Sequence, residues 1–254
     1  MKWMKSFVLA FSMYSRIPMP QLEFKEGDGK YSFCFFPFVG AVIGVLEFLW
    51  FGLCRHVAGS GVTQTGAVCI AAAIPLVITG GFHVDGFLDV TDALSSYRST
   101  DEKKRILRDP HIGAFAVIGF AAAGLIFVGC LSQIQTAKEV CFFAGSFALA
   151  RIFSGLAAFY LPKFDEEDNL AQTVAMQDRK TVLLVLWLEL LLWMCGFGLL
   201  ALVTMAAEMA AAALVFCYYR WKMMKEFGGT VGDTAGWFVV VQEVVYLAVL
   251  VVAR

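Results

Sequence analysis

Charge is the scarcest commodity in this chain. Of its 254 residues only 16% are Asp, Glu, Lys or Arg, while 59% are hydrophobic; an ordinary soluble domain carries about a quarter charged residues. The mean hydropathy is +0.73. That balance excludes a water-soluble globular fold and implies a polytopic membrane protein. The seven cysteines are scattered through apolar stretches, with no Cys-x-x-Cys pair. Such an odd, dispersed set argues against a disulfide framework or a thiolate metal site and for reduced packing residues. Prolines are few, no Pro/Ser-rich linker appears, and no repeat of roughly 20–50 residues is seen. Residues 1–254 therefore read as a single integral membrane domain. The net charge of −1 says nothing about partners, because the charges are segregated rather than spread; no nucleic-acid partner is expected.

Apolar runs of spanning length, roughly 17–25 residues, lie at 32–54, 61–81, 112–134, 139–161, 182–203, 206–221 and 233–253. From Val182 to Tyr219 the run is too long for one crossing, about 57 Å as a helix. It predicts a hairpin turning at Thr204–Glu208. Residues 1–18 read as a retained interfacial helix, because Arg16 to Pro20 follows without a small-residue cleavage site. The fold class is all-α: a polytopic integral membrane helical bundle of about seven transmembrane helices plus that N-terminal interfacial helix. Segments 1–31, 82–111, 162–181 and 220–232 hold nearly all the Lys and Arg, against Arg55, Lys138 and Arg254 in the alternate loops. The positive-inside rule then sets the N-terminus and residues 82–111 in the cytoplasm and the C-terminus outside.

The polar residues that remain are concentrated. Residues 80–92 read Gly-Gly-Phe-His-Val-Asp-Gly-Phe-Leu-Asp-Val-Thr-Asp. On a helix Asp85, Asp89 and Asp92, at i, i+4 and i+7, fall on one stripe, with Phe87, Val90, Thr91 and Leu94 opposite. Carboxylates ~6 Å apart repel by roughly 3 kcal/mol per pair at an effective dielectric near 20. A hard divalent cation with oxygen ligands relieves this. His83 is a candidate ligand or phosphate donor. Arg105 to Gly113, with Arg108 and Asp109 before Pro110, puts a basic cluster across a loop from the acids, an arrangement suited to a polyphosphate. Arg151 lies within the fourth span, where an ionisable residue is a functional candidate by default. Phe227 to Gly236 is glycine-rich; Gly229 and Gly232 could cradle phosphate through backbone N–H groups, with Asp233 a further metal ligand. Asp165 to Asn169 reads as a solvated acidic loop.

Together these pieces resemble the cobalamin synthase family, adenosylcobinamide-GDP ribazoletransferase, over almost the whole chain. The resemblance rests on Arg16-Ile-Pro18-Met-Pro20, Pro37 to Gly44, and the His83-x-Asp85-Gly-x-x-Asp89-x-x-Asp92 string directly behind Gly80-Gly81. It extends to Arg108-Asp109-Pro-His-Ile-Gly113, Ala150-Arg151 and Gly228-Gly-Thr-Val-Gly-Asp233. Ala116 and Thr230 depart from the family pattern, at packing positions. The resemblance implies a magnesium-dependent enzyme of the bacterial cytoplasmic (inner) membrane with its active site on the cytoplasmic side. It would join adenosylcobinamide-GDP to α-ribazole or its 5′-phosphate and release GMP in the last steps of cobalamin biosynthesis. On that basis magnesium falls to Asp85, Asp89, Asp92 and Asp233, and catalysis to His83, Asp92, Arg108 and Arg151. Substrate binding falls to Arg105, Asp109, Gly113, Gly229 and Gly232. The 5′-oxygen of the ribazole is taken as the attacking group. The lipid bilayer is a partner, and a homo-oligomer or an association with other cobalamin-assembly enzymes stays open. Two alternatives are weighed: a CDP-alcohol phosphotransferase-like enzyme, whose Asp-Gly-x-x-Ala-Arg string is absent because Asp89 replaces the alanine, and a cation transporter using Asp85, Asp89, Glu189 and Glu243.

Overall fold

The computed structural model describes residues 2–25, 27–56 and 63–253. Residues 57–62 lie outside the described residues, as does Arg254, which counts in the charge bias. Among the described residues there are eleven α-helices, one short 3-10 turn and one β-bridge, which joins Lys163 to Thr230. The helices are α1 (Lys2–Tyr14), α2 (Phe36–His56), α3 (Gln64–Thr79), α4 (Phe82–Ser95), α5 (Thr100–Ile106) and α6 (Ala114–Leu131). They continue with α7 (Ala137–Tyr160), α8 (Asn169–Ala175), α9 (Arg179–Leu200), α10 (Leu202–Phe227) and α11 (Gly232–Val252).

Six helices, α2, α6, α7, α9, α10 and α11, are long and apolar enough to cross a membrane, and the bent pair α3–α4 makes up to seven. The chain is thus a multi-pass, all-α membrane protein. At 13 residues, or ~20 Å, α1 is too short to span and packs its Val8–Phe11–Tyr14 face inward.

α7 is the hub, buried along most of its length. Its closest neighbour is α2, through Gly40-x-x-x-Gly44. A Cβ on Gly40 would lie 2.3 Å from the Phe147 oxygen, and one on Gly44 2.1 Å from that of Ala144. Without a hydrophobic force between helices in lipid, such small-residue seams supply association through backbone-close packing. Buried polar groups inside the bundle fall into two sets: the carboxyls of Glu47 and Glu208 and the ring of His83 lack a hydrogen-bond partner among the described residues, whereas others are paired. Arg151 Nη1 donates to the Phe147 carbonyl and to Glu243 Oε1, both at 2.8 Å.

The expected hairpin turn at Thr204–Glu208 is corrected. α9 ends at Leu200, Ala201 breaks the helix with extended backbone, and α10 begins at Leu202. Thr204 and Glu208 are fully buried on α10. Their polarity belongs to an inward face rather than to a solvated turn.

Candidate active site

The site begins where α3 stops. Gly80 and Gly81 both adopt left-handed backbone, φ +64° and +79°, which glycine reaches without the Cβ penalty. Both N–H groups donate to the Leu76 carbonyl, and the chain turns by 95° into α4. α4 therefore leaves the spanning direction and lies at the bundle's end, where α6 and α11 begin.

His83, Gly86, Phe87, Val90 and Ala93 form the buried face of α4. Asp85 is exposed on the other side, with Asp89 and Asp92 half-buried, as the spacing predicts. What the spacing does not predict is how closely α4 meets α11. A Cβ on Gly86 would sit 2.6 Å from the Asp233 oxygen, and one on Gly236 3.0 Å from the His83 oxygen. Two glycines thus let the helices touch backbone to backbone, and Asp233 comes within electrostatic reach of Asp89 and Asp85. Burial, reinforced by the charges of Asp85 and Asp92, pushes the Asp89 carboxyl up to about 6.

Two further segments close on this cluster. Gly113, ahead of α6, lies against Asp92: a Cβ there would fall 2.1 Å from the carboxylate Oδ1. Asp168 caps α8 by accepting the Leu170 N–H at 2.8 Å and reaches across to accept the Gly232 N–H at 3.0 Å. Its charge is also felt by Asp233. Neighbouring Asp165 pairs with exposed Arg108. The acidic run at 165–169 is therefore not merely solvated, which corrects that expectation: it ties the α10–α11 loop and Arg108 to the cluster.

Other sequence-derived residues sit differently. The glycine-rich loop spends its donors internally. The Thr230 N–H goes to Pro162, the Val231 N–H to Thr234 Oγ1 and the Gly232 N–H to Asp168. Gly229 packs on the Lys163–Phe164 backbone. Gly232 thus has its N–H committed to Asp168 rather than free for phosphate, and Gly229 is held by close backbone packing. Of the basic cluster, Lys103 pairs with Glu226 and Lys104 lies over the Phe164 ring, whereas Arg105 is exposed. Asp109 accepts from His111. His83 and Arg151 do not join the acids. His83 is buried against Tyr14, Phe36 and Phe82.

Among the described residues no three carboxylate, imidazole or thiol groups are gathered around one point ready to hold a metal ion. The donor set nevertheless suits magnesium. The clustered acids offer only hard oxygens, and magnesium typically takes one or two protein carboxylates and completes its shell with water and substrate phosphate. Sequence reasoning missed Asp168, Gly86 and Gly236. Asp168-Asn-Leu carries a helix N-cap signature, which could have drawn attention to it.

The sequence profile of the cobalamin-5-phosphate synthase family matches residues 6–251. The chain belongs to this family. An adenosylcobinamide-GDP ribazoletransferase from Lachnoclostridium phytofermentans is 36% identical over the whole of this chain and 96% of its own length. One from Clostridium botulinum (strain Alaska E43) is 31% identical over 96% of this chain and 95% of its own. A third, from Ralstonia nicotianae, is 30% identical over 97% and 93%. No solved structure matches. This cobalamin synthase family member carries its Gly-Gly-Phe-His-x-Asp-Gly string at the α3–α4 bend.

Proposed function

We propose that the chain joins adenosylcobinamide-GDP to α-ribazole or its 5′-phosphate, releasing GMP. The observation that carries this reading is the meeting of α4, α11 and the 162–168 loop. There five carboxylates and Arg108 from distant parts of the sequence share one end of a membrane bundle. Asp85 and Asp89, with Asp233 beside them, are the residues to hold magnesium. A magnesium ion held by these residues would supply positive charge to the diphosphate and so make GMP a better leaving group.

The residues supply position and charge. Arg108, reaching from the loop before α6, binds phosphate oxygens, and Asp92, held against Gly113, accepts the proton of the attacking hydroxyl. One bond forms, from a ribose oxygen to the cobinamide-bound phosphorus, and one breaks, from that phosphorus to the bridging oxygen, which leaves as part of GMP. Because ribazole 5′-phosphate keeps its 5′-phosphate in the product, the attacking oxygen is another ribose hydroxyl, which replaces the 5′-oxygen considered above. Positioning and charge neutralisation account for most of the rate in phosphoryl transfer.

The Lys- and Arg-rich segments meet beside the cluster, through Arg16 on Ile78, Lys103 on Glu226 and Arg108 on Asp165, which supports a cytoplasmic active site with the N-terminus inside a bacterial cytoplasmic membrane. The transporter reading is not favoured, since Glu243 is committed to Arg151. Purified protein given adenosylcobinamide-GDP, α-ribazole 5′-phosphate and magnesium should release GMP in step with corrinoid product. Folded protein that releases none overturns the reading.

A further inference from the structure

We propose that Arg16 is a catalytic residue of the transfer, receiving the negative charge that gathers on the departing GMP phosphate; this rests on the transferase reading above. Arg16 follows α1, and its position is fixed twice. Its N–H donates to the Ile78 carbonyl in the last turn of α3 at 2.7 Å. Its side chain lies over Gly80, where Nε, Cγ and Cδ come within 2.4, 2.5 and 2.9 Å of the point a Cβ would occupy. Only glycine at this bend leaves room for that stem. Ser15 steadies the turn, its hydroxyl donating to the Phe11 carbonyl at 2.7 Å and accepting the Ile17 N–H at 3.3 Å.

Although held in this way, Arg16 is exposed, and among the described residues its guanidinium has no carboxylate partner. Arg108 and Arg151, by contrast, are paired with Asp165 and Glu243. A fixed guanidinium without an anion presents a planar fork of donors that matches phosphate. Its place along α4 says which phosphate. The bend sets Arg16 at the start of the helix, one turn ahead of Asp85, whose N–H donates to the Gly81 carbonyl. Asp92, with Gly113 against it, stands further along, roughly 10 Å beyond Asp85 at 1.5 Å per residue. In phosphoryl transfer the attacking and leaving oxygens lie roughly in line on opposite sides of the phosphorus. With the attacking hydroxyl delivered at Asp92, the bridging oxygen leaves toward the opposite end of the acid stripe, where Arg16 stands. As the phosphorus–oxygen bond breaks, its electron pair stays on that oxygen and the GMP phosphate gains one negative charge. The hydroxyl proton goes to Asp92. Donors placed in advance where charge develops are a large source of rate enhancement.

Arg16→Gln should lower kcat for GMP release about tenfold or more. It should weaken equilibrium binding of GMP to the full chain, in detergent with magnesium, by about the same factor. Arg16→Lys, which keeps the charge but not the fork, should lose part of each. Arg98→Gln removes another exposed cation, one outside the site, and should change neither. A donor whose bridging oxygen is replaced by sulfur, a better leaving group, should shrink the kcat deficit of Arg16→Gln. A structural defect, or the loss of a lipid-headgroup contact, persists with sulfur. Undiminished kcat or GMP affinity in Arg16→Gln, equal losses in Arg98→Gln, or a deficit that sulfur leaves untouched overturns the proposal. Should Arg16→Gln fail to fold by gel filtration, Arg16→Lys decides by the same measurements. GMP binding that depends on Arg16, without GMP release by the wild type, would sink the transferase reading alone. GMP release by the wild type, with the same kcat in Arg16→Gln, would sink this inference alone.

Discussion

Adding one methyl group at Gly86 is the sharpest perturbation of the proposed site. The new Cβ would lie 2.6 Å from the Asp233 oxygen, 2.8 Å from its Cα and 3.1 Å from its carbonyl carbon. All three are backbone atoms at the start of α11, so no side-chain rotation absorbs the clash. Restoring ordinary contact means parting α4 from α11 by about 0.8 Å, carrying Asp85 and Asp89 away from Asp233. Overpacking of this kind costs about 1–3 kcal/mol in stability, and a ~1 Å misplacement of reacting groups costs up to about 10²-fold in rate. We expect Gly86→Ala to lower kcat for GMP release some 10- to 100-fold at saturating substrates and magnesium, with a reduced Tm. Gly52→Ala on α2, where an added Cβ meets nothing within 4 Å, should leave both unchanged. Wild-type turnover and melting in Gly86→Ala would refute the claim that close contact of these helices builds the site.

Other outcomes follow from the same geometry. With Asp89 raised to about 6 against about 3.9 in the unfolded chain, the folded protein binds that proton more tightly. The contribution of Asp89 to metal-free stability, read as the difference between wild type and Asp89→Asn, should thus be fullest below pH ~4 and fall as pH rises through about 6. Magnesium, which competes with the proton, should raise Tm at pH 7.5 but not at pH 4.5 in a thermal-shift series. Arg151→Met leaves Glu243 buried without its cation and should cost about 3–5 kcal/mol, whereas the double change with Glu243→Met should recover much of this; chemical unfolding in detergent measures both. Arg108→Gln should cut turnover about tenfold or more with little change in Tm, because an exposed ion pair is worth at most ~1 kcal/mol. A melting loss matching the activity loss would make Arg108 structural.

The bundle was legible in the sequence because long apolar runs are a strong signal for helices in lipid. The α3–α4 bend was visible in Gly80-Gly81, and the aspartate stripe in its i, i+4, i+7 spacing. The hairpin at Ala201 was not, since Thr204 and Glu208 look like a turn until their burial on α10 is known. Asp168 escaped notice because a side chain that caps a neighbouring loop has no periodicity. His83 and Arg151 carry functional residue types yet lie across α4 from the acids. Gly86 and Gly236 matter through backbone proximity between segments about 150 residues apart in sequence, which a single sequence does not display.

Whether the acids of α4 hold a divalent ion can be read directly with manganese in place of magnesium. Electron paramagnetic resonance on purified protein with adenosylcobinamide-GDP should show stoichiometric manganese binding in wild type. Asp85→Asn and Asp89→Asn should each lose most of it while retaining the wild-type gel-filtration profile. Undiminished manganese binding in both variants would contradict the assignment.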